Sequence, residues 1–362
     1  MRYDTSIQIN NRIIDAESPA YFIADIAANH DGDLSRAKEL IWMAKEAGAD
    51  AAKFQHFKAE KIVSDFGFRN LKSALSHQSD WKKSVFDTYK EYECNRDWNE
   101  ELALTAKKAQ IDFMTTPYDY EAIHLLDQYI PAYKIGSGDI TWVEFIEEIS
   151  KMGKPVILAT GASSMEDVER SVESALQHTR KFVLLQCNTN YTGDLENFKH
   201  INLNVLQSYG LKYPQMILGL SDHTFGHATV LGAIALGAKV IEKHFTDDNN
   251  RIGPDHIFSM NPTTWKEMVD RSRELEIALG DGIKRVENNE QDTVVVQRRC
   301  LRVKDNLQIG HIIREEDLEV LRPAPRDGIE PYRKNEVIGK RLKIVKRKGD
   351  ALFMQDLVYQ DA

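Results

Sequence analysis

Short apolar runs alternate with amphipathic segments along most of this chain. Eight runs of this kind are candidate strands, and they span 21–27, 50–55, 111–116, 131–136, 154–160, 181–187, 215–221 and 238–244. Several of the segments between them repeat apolar residues at i, i+3 and i+4 spacing, and some begin behind a Ser, Thr or Asp that can cap a helix. Eight strand-helix units over roughly 250 residues predict a parallel (β/α)8 TIM barrel.

An open, doubly wound sheet is the alternative that the same alternation allows. Its usual signature is a glycine-rich G-x-G-x-x-G loop after the first strand, which binds phosphate groups. The segment at the end of the first candidate strand, IAANHDGD, does not have that pattern. The barrel is therefore the favoured architecture.

The regular spacing breaks in two places. Residues 57–96 are rich in polar, charged and aromatic side chains, which indicates an excursion between the second and third strands. Such an excursion can cover a site or be a plain insertion. After the acidic stretch 286–292, short strand-like runs alternate with turn residues. We therefore expect a barrel domain over 1–280, a linker at 281–293 and a small β-rich domain at 294–362.

Composition limits the partners and the location of the chain. The net charge of −9 argues against a broad nucleic-acid-binding surface. The sequence contains neither a signal-peptide core nor a run of about 18 uncharged apolar residues, so we expect no membrane association. The three cysteines are scattered rather than arranged for disulfides or a thiolate metal site. A reducing, cytoplasmic location fits best.

Polar residues cluster at the C-terminal ends of the candidate strands, where barrel enzymes place their catalytic groups. Each one alone could be a capped turn or a satisfied buried polar group. A single shared site explains all the strand ends at once. The residues at or just after these ends include Asp25, Lys53, Gln55, Thr116, Lys134, Ser137, Asp139, Thr189, Tyr191, Ser221, His223, His244 and Asp255.

Two histidines in this set are candidate metal ligands. His223 and His244 follow adjacent candidate strands, so their imidazoles can meet at one divalent ion. Neutral imidazole suits Mn, Fe, Co or Zn, and an acidic or water ligand would complete the shell. The alternative is that each histidine is a core residue with a backbone hydrogen bond.

Two lysines in the set need an anion. Lys53 and Lys134 end apolar runs, where an unpaired ammonium group is costly. A bound phosphate or carboxylate, held also by nearby hydroxyls, would supply the anion. Buried salt bridges to Asp25 or Asp139 are the alternative.

Taken together, the motifs resemble those of the sialic acid (nonulosonic acid) synthase family over nearly the whole chain. They are IADIAANHDGDLSRAKELI, AGADAAKFQ, TTPYD, AYKIGSGD, ILATGAS, GLSDHT, IEKHFT, GPDH and, near the C-terminus, RRCLRVKDNLQIGHIIREEDLEVLRP. The resemblance implies N-acetylneuraminate synthase-like chemistry on a TIM barrel followed by a small antifreeze-like (SAF) domain. It also implies a domain-swapped homodimer in which that domain covers the partner's active site.

The resemblance also implies roles for particular residues. A divalent metal, with Mn²⁺ preferred over Mg²⁺ or Co²⁺, would polarise an amino-sugar aldehyde while C3 of phosphoenolpyruvate attacks it. His223 and His244 would hold the metal and, with Asp25, form the catalytic set. The residues implied for phosphoenolpyruvate are Lys53, Thr116, Lys134, Ser137, Thr189 and Ser221. Those implied for the sugar are Gln55, Asp139, Tyr191, Asp255 and Arg322, the last reaching the sugar of the other subunit.

Three departures from the family pattern fall where the sugar would lie. Asp25 and Asp139 stand where the family usually has Glu, which withdraws each carboxylate by about 1.5 Å. The loop after strand six reads CNTNYTG instead of C-T-S-x-Y-P, and HIFSMNP follows GPD, which puts His256 and Phe258 near the sugar. We therefore hypothesise that the acceptor is not N-acetylmannosamine but a larger or differently substituted sugar, such as a 2,4-diacetamido-6-deoxy hexose.

Two other functions stay open from the residues. A metal-dependent TIM-barrel hydrolase could use His223 and His244 to activate water, although a hydrolase of uncharged substrates has no use for the two strand-end lysines. A non-catalytic sugar-binding protein could rely on the C-terminal domain. That function leaves the polar rim of the barrel unexplained.

Overall fold

The computed structural model describes residues 3–71, 78 and 81–358. The chain divides into two compact units, Met1–Gly280 and Asp281–Ala362. The first unit contains the barrel and the second a small β-rich domain. Along the described part of the chain, no helix is long and apolar enough to cross a membrane.

Eight parallel strands close into a barrel, which confirms the predicted architecture and excludes the open sheet. A hairpin of β1 (Ile7–Ile9) and β2 (Arg12–Ile14) precedes it. The barrel strands are β3 (Tyr21–Asp25), β4 (Ala51–His56), β5 (Asp112–Pro117), β6 (Tyr133–Ile135), β7 (Val156–Ala159), β8 (Phe182–Cys187), β9 (Ile217–Asp222) and β10 (Val240–His244). Pairing of β10 with β3 closes the ring.

Helices connect successive strands. They are α1 (Leu34–Glu46), α2 (Ala59–Ile62), α3 (Asp65–Arg69), α4 (Val85–Glu91), α5 (Asn99–Ala109), α6 (Tyr120–Leu126), α7 (Val143–Lys151), α8 (Met165–Ala175), α9 (Val205–Lys212), α10 (Ala228–Ala235) and α11 (Pro262–Leu279). Local sequence fixes several starts: the Asp33 side chain accepts from two backbone N–H groups of α1, and Ser164 forms a capping box at α8.

The barrel interior is closed at its N-terminal end. Tyr21 and Val240, which begin their strands, belong to one buried apolar cluster with Ile7 and Ile9 of the hairpin. The pattern of apolar runs does not predict this hairpin. Because apolar side chains fill that end, the polar groups are left to the opposite end, where the strands finish.

The predicted excursion at 57–96 leaves the barrel after β4. Its described part carries α2, α3 and α4, and residues 72–77, 79 and 80 of the prediction lie outside the described residues. The Ser84 side chain caps α4 by accepting from the backbone N–H of Asp87. This helix brings tyrosines toward the barrel rim, as described below.

The second unit has its own core. After α12 (Gln291–Gln297), it contains β11 (Cys300–Val303), β12 (Leu318–Leu321), β13 (Arg341–Leu342) and β14 (Leu357–Val358). β11 pairs with β12 and β13 with β14, both antiparallel. Leu301, Ile329 and Leu352 are buried in a separate apolar cluster. The short paired strands confirm the predicted β-rich domain.

Candidate active site

Strand register brings the predicted residues to one rim of the barrel. His244 on β10 lies opposite Asp25 on β3, and Asp25 lies opposite Lys53 on β4. Next to them, Ser221 on β9 lies opposite Glu242 on β10. These strand ends surround a polar cavity of about 330 Å³, the basin. The predicted residues that line it are Asp25, Lys53, Gln55, Thr116, Lys134, Ser137, Asp139, Tyr191, Ser221, His223 and His244.

Three predicted residues lie elsewhere. Asp255 lines a cavity that adjoins the basin rather than the basin itself. Thr189 is outside the basin lining, with its Cγ2 packed so close to Gly161 that a Cβ there would lie 2.5 Å away. Arg322 directly follows β12 in the second unit, so the basin within the first unit is built without it. The roles of all three stay predictions.

The two lysines are held by carboxylates. Lys53 Nζ lies 2.7 Å from Asp25 Oδ2 and 3.9 Å from Glu242 Oε2, and Lys134 Nζ lies 2.9 Å from Glu242 Oε1. The buried salt bridge considered for Lys53 and Asp25 is therefore present, whereas Lys134 pairs with Glu242 instead of Asp139. Burial would lower the pKa of Lys53, but Asp25 and Glu242 more than offset it, and the pKa is raised. Lys53 therefore stays charged at neutral pH.

Glu242 is the basin residue that the sequence analysis missed. Its Oε1 also accepts from Ser221 Oγ at 3.1 Å, while its Oε2 has no hydrogen bond from any described residue. Residues two apart on a strand share a face, so the prediction of His244 at the rim already placed Glu242 beside it. The basin thus contains a carboxylate whose Oε1 pairs with Lys134 and whose Oε2 can accept a hydrogen bond from a water or a substrate.

The two histidines lie together, with ring centroids 5.3 Å apart. His223 Nδ1 is 2.9 Å from the carbonyl oxygen of Asn188; if Nδ1 carries the proton it donates there, and the lone pair of Nε2 remains for a metal. His244 Nδ1 is buried and has no hydrogen bond within the described part of the chain. Burial lowers the pKa of His223, and that of His244 to about 3. Both rings are therefore neutral, the form that binds metals.

These two imidazoles fit a divalent ion whose shell is completed by other donors. Within the described ranges, no three His, Cys, Asp or Glu side chains are grouped so as to hold a metal alone. The nearest carboxylates to His244 are Asp25, 3.7 Å from Nε2, and Asp255, 3.8 Å from Nδ1. An ion here would rely on water or substrate oxygens, as catalytic metal sites with open positions do.

Three carboxyl groups at the rim differ in their ionisation. Burial raises the pKa of Asp25, but Lys53 and His244 outweigh it and bring the pKa down to about 2. Burial raises the pKa of Asp139 to about 6 and that of Asp255 to about 7. The Asp255 carboxylate accepts a hydrogen bond from the backbone N–H of Ala28 at 3.1 Å. At neutral pH the rim therefore holds an ionised Asp25 next to a partly protonated Asp255.

His256, in the loop after β10, was expected near the sugar but does not line either cavity. His256 Nδ1 lies 2.7 Å from Thr246 Oγ1 and Nε2 lies 2.9 Å from Asp31 Oδ1, so its ring holds the loop and lines neither cavity. Phe258 does lie close to the site, with its ring 5.0 Å from that of His244 and 5.5 Å from that of Tyr191. It packs behind the histidine as a buried support.

An aromatic cavity of about 150 Å³, the annex, adjoins the basin. Both cavities are lined by Gln55, Phe57, Tyr89, Tyr118, Tyr191 and His244. Residues that line only the annex are Ala28, Gln78, Trp81, Thr88, Tyr92, Pro254 and Asp255. Most of its aromatic wall comes from the excursion after β4, which the sequence analysis did not connect to particular site residues.

Family models match both units of the chain. The NeuB family model matches residues 40–284 and the SAF domain model matches residues 298–358.

Several known proteins are similar to the chain over most of its length. It is 36% identical to an N,N'-diacetyllegionaminic acid synthase of Campylobacter jejuni over 322 residues, 88% of this chain and 94% of that one. It is 31% identical to the human N-acetylneuraminate-9-phosphate synthase over 96% of this chain and 95% of the human chain. The crystal structure of the N-acetylneuraminic acid synthetase of Leptospira borgpetersenii superposes with a TM-score of 0.70 at 29% identity, covering 80% of this chain and 95% of that one.

Proposed function

Because the chain belongs to the NeuB family, we propose that it condenses phosphoenolpyruvate with an N-acylated amino-sugar aldehyde to give a nine-carbon 2-keto-3-deoxy acid and phosphate. Its relatives include proteins named N,N'-diacetyllegionaminic acid synthase, N-acetylneuraminate-9-phosphate synthase and pseudaminic acid synthase. The observation that carries the proposal is the convergence of Lys53 and Lys134 in one buried basin beside two neutral imidazoles.

The lysines supply the site for the phosphoenolpyruvate anion. Both Nζ atoms are almost wholly buried, so their attraction for a phosphate or carboxylate is screened far less than at the surface. The hydroxyls of Thr116, Ser137 and Ser221 line the same cavity and can donate to phosphate oxygens. Asp25 and Glu242 hold the lysines in place until the substrate arrives.

The reaction joins C3 of phosphoenolpyruvate to the aldehyde carbon. The aldehyde oxygen takes a proton to become a hydroxyl, water adds at C2, and breakage of the C2–O bond releases phosphate and leaves the ketone. The free Oε2 of Glu242 is placed to accept the proton from that water. Lys53 holds Asp25 ionised, and Asp25 accepts a hydrogen bond from Gln55 Nε2 at 3.0 Å. The Asp25 carboxylate would therefore stabilise a positive charge on a group bound next to His244.

His223 and His244 would hold a divalent cation, with Mn²⁺ preferred over Mg²⁺ or Co²⁺. A cation in this position supplies Lewis-acid polarisation of the aldehyde oxygen. The Asn188 carbonyl orients the ring of His223, and Phe258 packs against the ring of His244.

Assembly and location follow from the same proposal. Arg322 of the SAF domain would contact the sugar in the other subunit of a domain-swapped homodimer. The enzyme would act in the cytoplasm, a reducing location that suits its three free cysteines. The rival metal-dependent hydrolase leaves the two buried lysines without a use.

The test is incubation with phosphoenolpyruvate, Mn²⁺ and a panel of amino-sugar aldehydes, followed by phosphate release and product mass spectrometry. We expect a product whose mass is the sum of the acceptor, phosphoenolpyruvate and water minus phosphate. His244→Ala should abolish turnover and weaken Mn²⁺ binding measured by electron paramagnetic resonance. His178→Ala, at an exposed histidine on the barrel exterior, is the matched control. Failure of every acceptor would refute the proposal, and an active His244→Ala variant would refute the metal assignment.

A further inference from the structure

The annex lies on the acceptor side of the site. It shares His244 and Gln55 with the basin but is lined by neither lysine. If phosphoenolpyruvate is held by Lys53 and Lys134, and the aldehyde lies near His244 and Asp25, the end of the sugar away from the aldehyde can extend into the annex, which shares His244 with the basin. This step rests on the proposed function.

Charge in the annex disfavours an anionic substituent. Among its described lining residues there is no lysine or arginine, and the ionisable carboxyl is Asp255. A phosphate in the annex would approach this carboxyl, and none of the described lining residues offers it a cation. An uncharged substituent meets no such cost.

The annex wall suits a flat group with an apolar end. Tyr89 packs against Phe57 with ring centroids 5.1 Å apart and against Trp81 at 6.3 Å. These ring faces and edges can cover a methyl group and a planar amide. The side chains of Tyr89 and Gln78 are hydrogen-bonded to each other, and together with the Tyr92 hydroxyl they make this wall polar as well as aromatic. An acetamido group presents this combination of a methyl and an amide.

We propose that the annex binds a second N-acyl group of an unphosphorylated acceptor, and that Tyr89 is the residue that selects for it. Tyr89 lines both cavities and lies on α4, in the excursion rather than in the barrel framework. Changes at this position can therefore alter the acceptor without disturbing the strand ends that hold phosphoenolpyruvate.

The test compares three acceptors at saturating phosphoenolpyruvate and Mn²⁺: a 2,4-diacetamido-6-deoxy hexose, N-acetylmannosamine and N-acetylmannosamine 6-phosphate. We expect the wild type to prefer the diacetamido sugar. In Tyr89→Ser, the kcat/KM for the diacetamido sugar divided by the kcat/KM for N-acetylmannosamine should fall by roughly tenfold or more. The fall should come mainly from a higher KM for the diacetamido sugar. Tyr89→Phe keeps the ring and should retain most of the ratio. Tyr120→Ser, at an exposed tyrosine whose ring packs on Trp142 and Phe145, should leave it unchanged.

The outcomes separate this inference from the proposed function. A wild type that prefers N-acetylmannosamine or its 6-phosphate keeps the synthase function and overturns the inference. An unchanged ratio in Tyr89→Ser, with the protein folded by its thermal midpoint, also overturns it. If no acceptor is consumed, the proposed function fails and the inference falls with it.

Discussion

Lys243 and Asp222 form a fully buried ion pair directly behind the two histidines of the site. Lys243 Nζ lies 2.5 Å from Asp222 Oδ2 and 2.6 Å from the carbonyl oxygen of Thr224, and both side chains are at most 1% exposed. Each residue neighbours a histidine in sequence, but side chains alternate along a strand, so the pair lies outside the barrel interior. The ion pair thus joins the ends of β9 and β10 that carry His223 and His244.

Breaking this pair should destabilise the protein more than removing it. Lys243→Met leaves the Asp222 carboxylate buried without a cation, with only the hydroxyls of Thr224 and Thr229 and the backbone N–H of Thr224 as donors. We expect the free energy of unfolding to fall by about 3–5 kcal/mol. Lys243→Met with Asp222→Asn should recover much of that loss, because no uncompensated charge remains buried. Urea unfolding of the two single variants and the double variant measures the coupling. Strictly additive losses in the free energy of unfolding would show that Lys243 and Asp222 do not stabilise the fold as a pair.

Glu242→Gln should separate substrate binding from chemistry. The amide keeps the shape of the side chain but cannot accept the proton from the attacking water, so we expect kcat to fall by roughly 10²–10⁴. The KM for phosphoenolpyruvate should not rise, since Lys53 and Lys134 lose a competing carboxylate. Steady-state phosphate release gives both constants. Glu166→Gln, in the exposed first turn of α8, is the control. A raised KM with normal kcat would show that Glu242 serves only to bind.

Asp255→Asn should raise stability more at pH 8 than at pH 5. The folded pKa of Asp255 is raised from 3.8 to about 7, so the folded state binds more protons than the unfolded state between these values. The stability contributed by this carboxyl is therefore lost as pH rises through that window. Because asparagine cannot ionise, the variant does not lose this stability as the pH rises. Urea unfolding of both proteins from pH 4 to pH 8 gives the difference, and a pH-independent difference would show that the carboxyl is not held protonated.

The parts of the site that the sequence predicted are those fixed by strand position. Asp25 and His244 end neighbouring strands, and Lys53 lies opposite Asp25 on the next strand of the ring, so the barrel alone brings them together. Glu242 was missed because it was treated as part of an apolar run, although it shares the inward face of β10 with His244. Period-two alternation could have identified it.

Other features could not be predicted because they depend on contacts between distant segments. The register between β9 and β10 decides that Lys243 reaches Asp222, and no local pattern encodes it. The wall formed by Tyr89 lies in an excursion without strand or helix periodicity of its own, and its position depends on packing against Phe57. The β1–β2 hairpin is too short to give a periodic signal but closes the barrel interior.

Arg322 provides the sharpest test of the proposed domain-swapped dimer. If it serves the site of the other subunit, Arg322→Ala and His244→Ala each remove a residue from different polypeptides of one composite site. In a mixed dimer, the barrel of the Arg322→Ala chain keeps His244 and receives an intact Arg322 from its partner. Random reassortment makes half the dimers mixed, with one complete site of two, so mixing equal amounts of the two variants should restore roughly a quarter of wild-type activity.

The same mixture gives a different result if Arg322 acts within its own chain. Every site would then lack either Arg322 or His244, and activity would stay at the level of the variants alone. The comparison requires that each variant by itself is inactive and folded, and that the subunits are exchanged by unfolding and refolding together. A mixture of His244→Ala with itself, treated identically, sets the baseline. Recovery above that baseline assigns Arg322 to the partner's site, and its absence assigns the arginine to the site of its own chain.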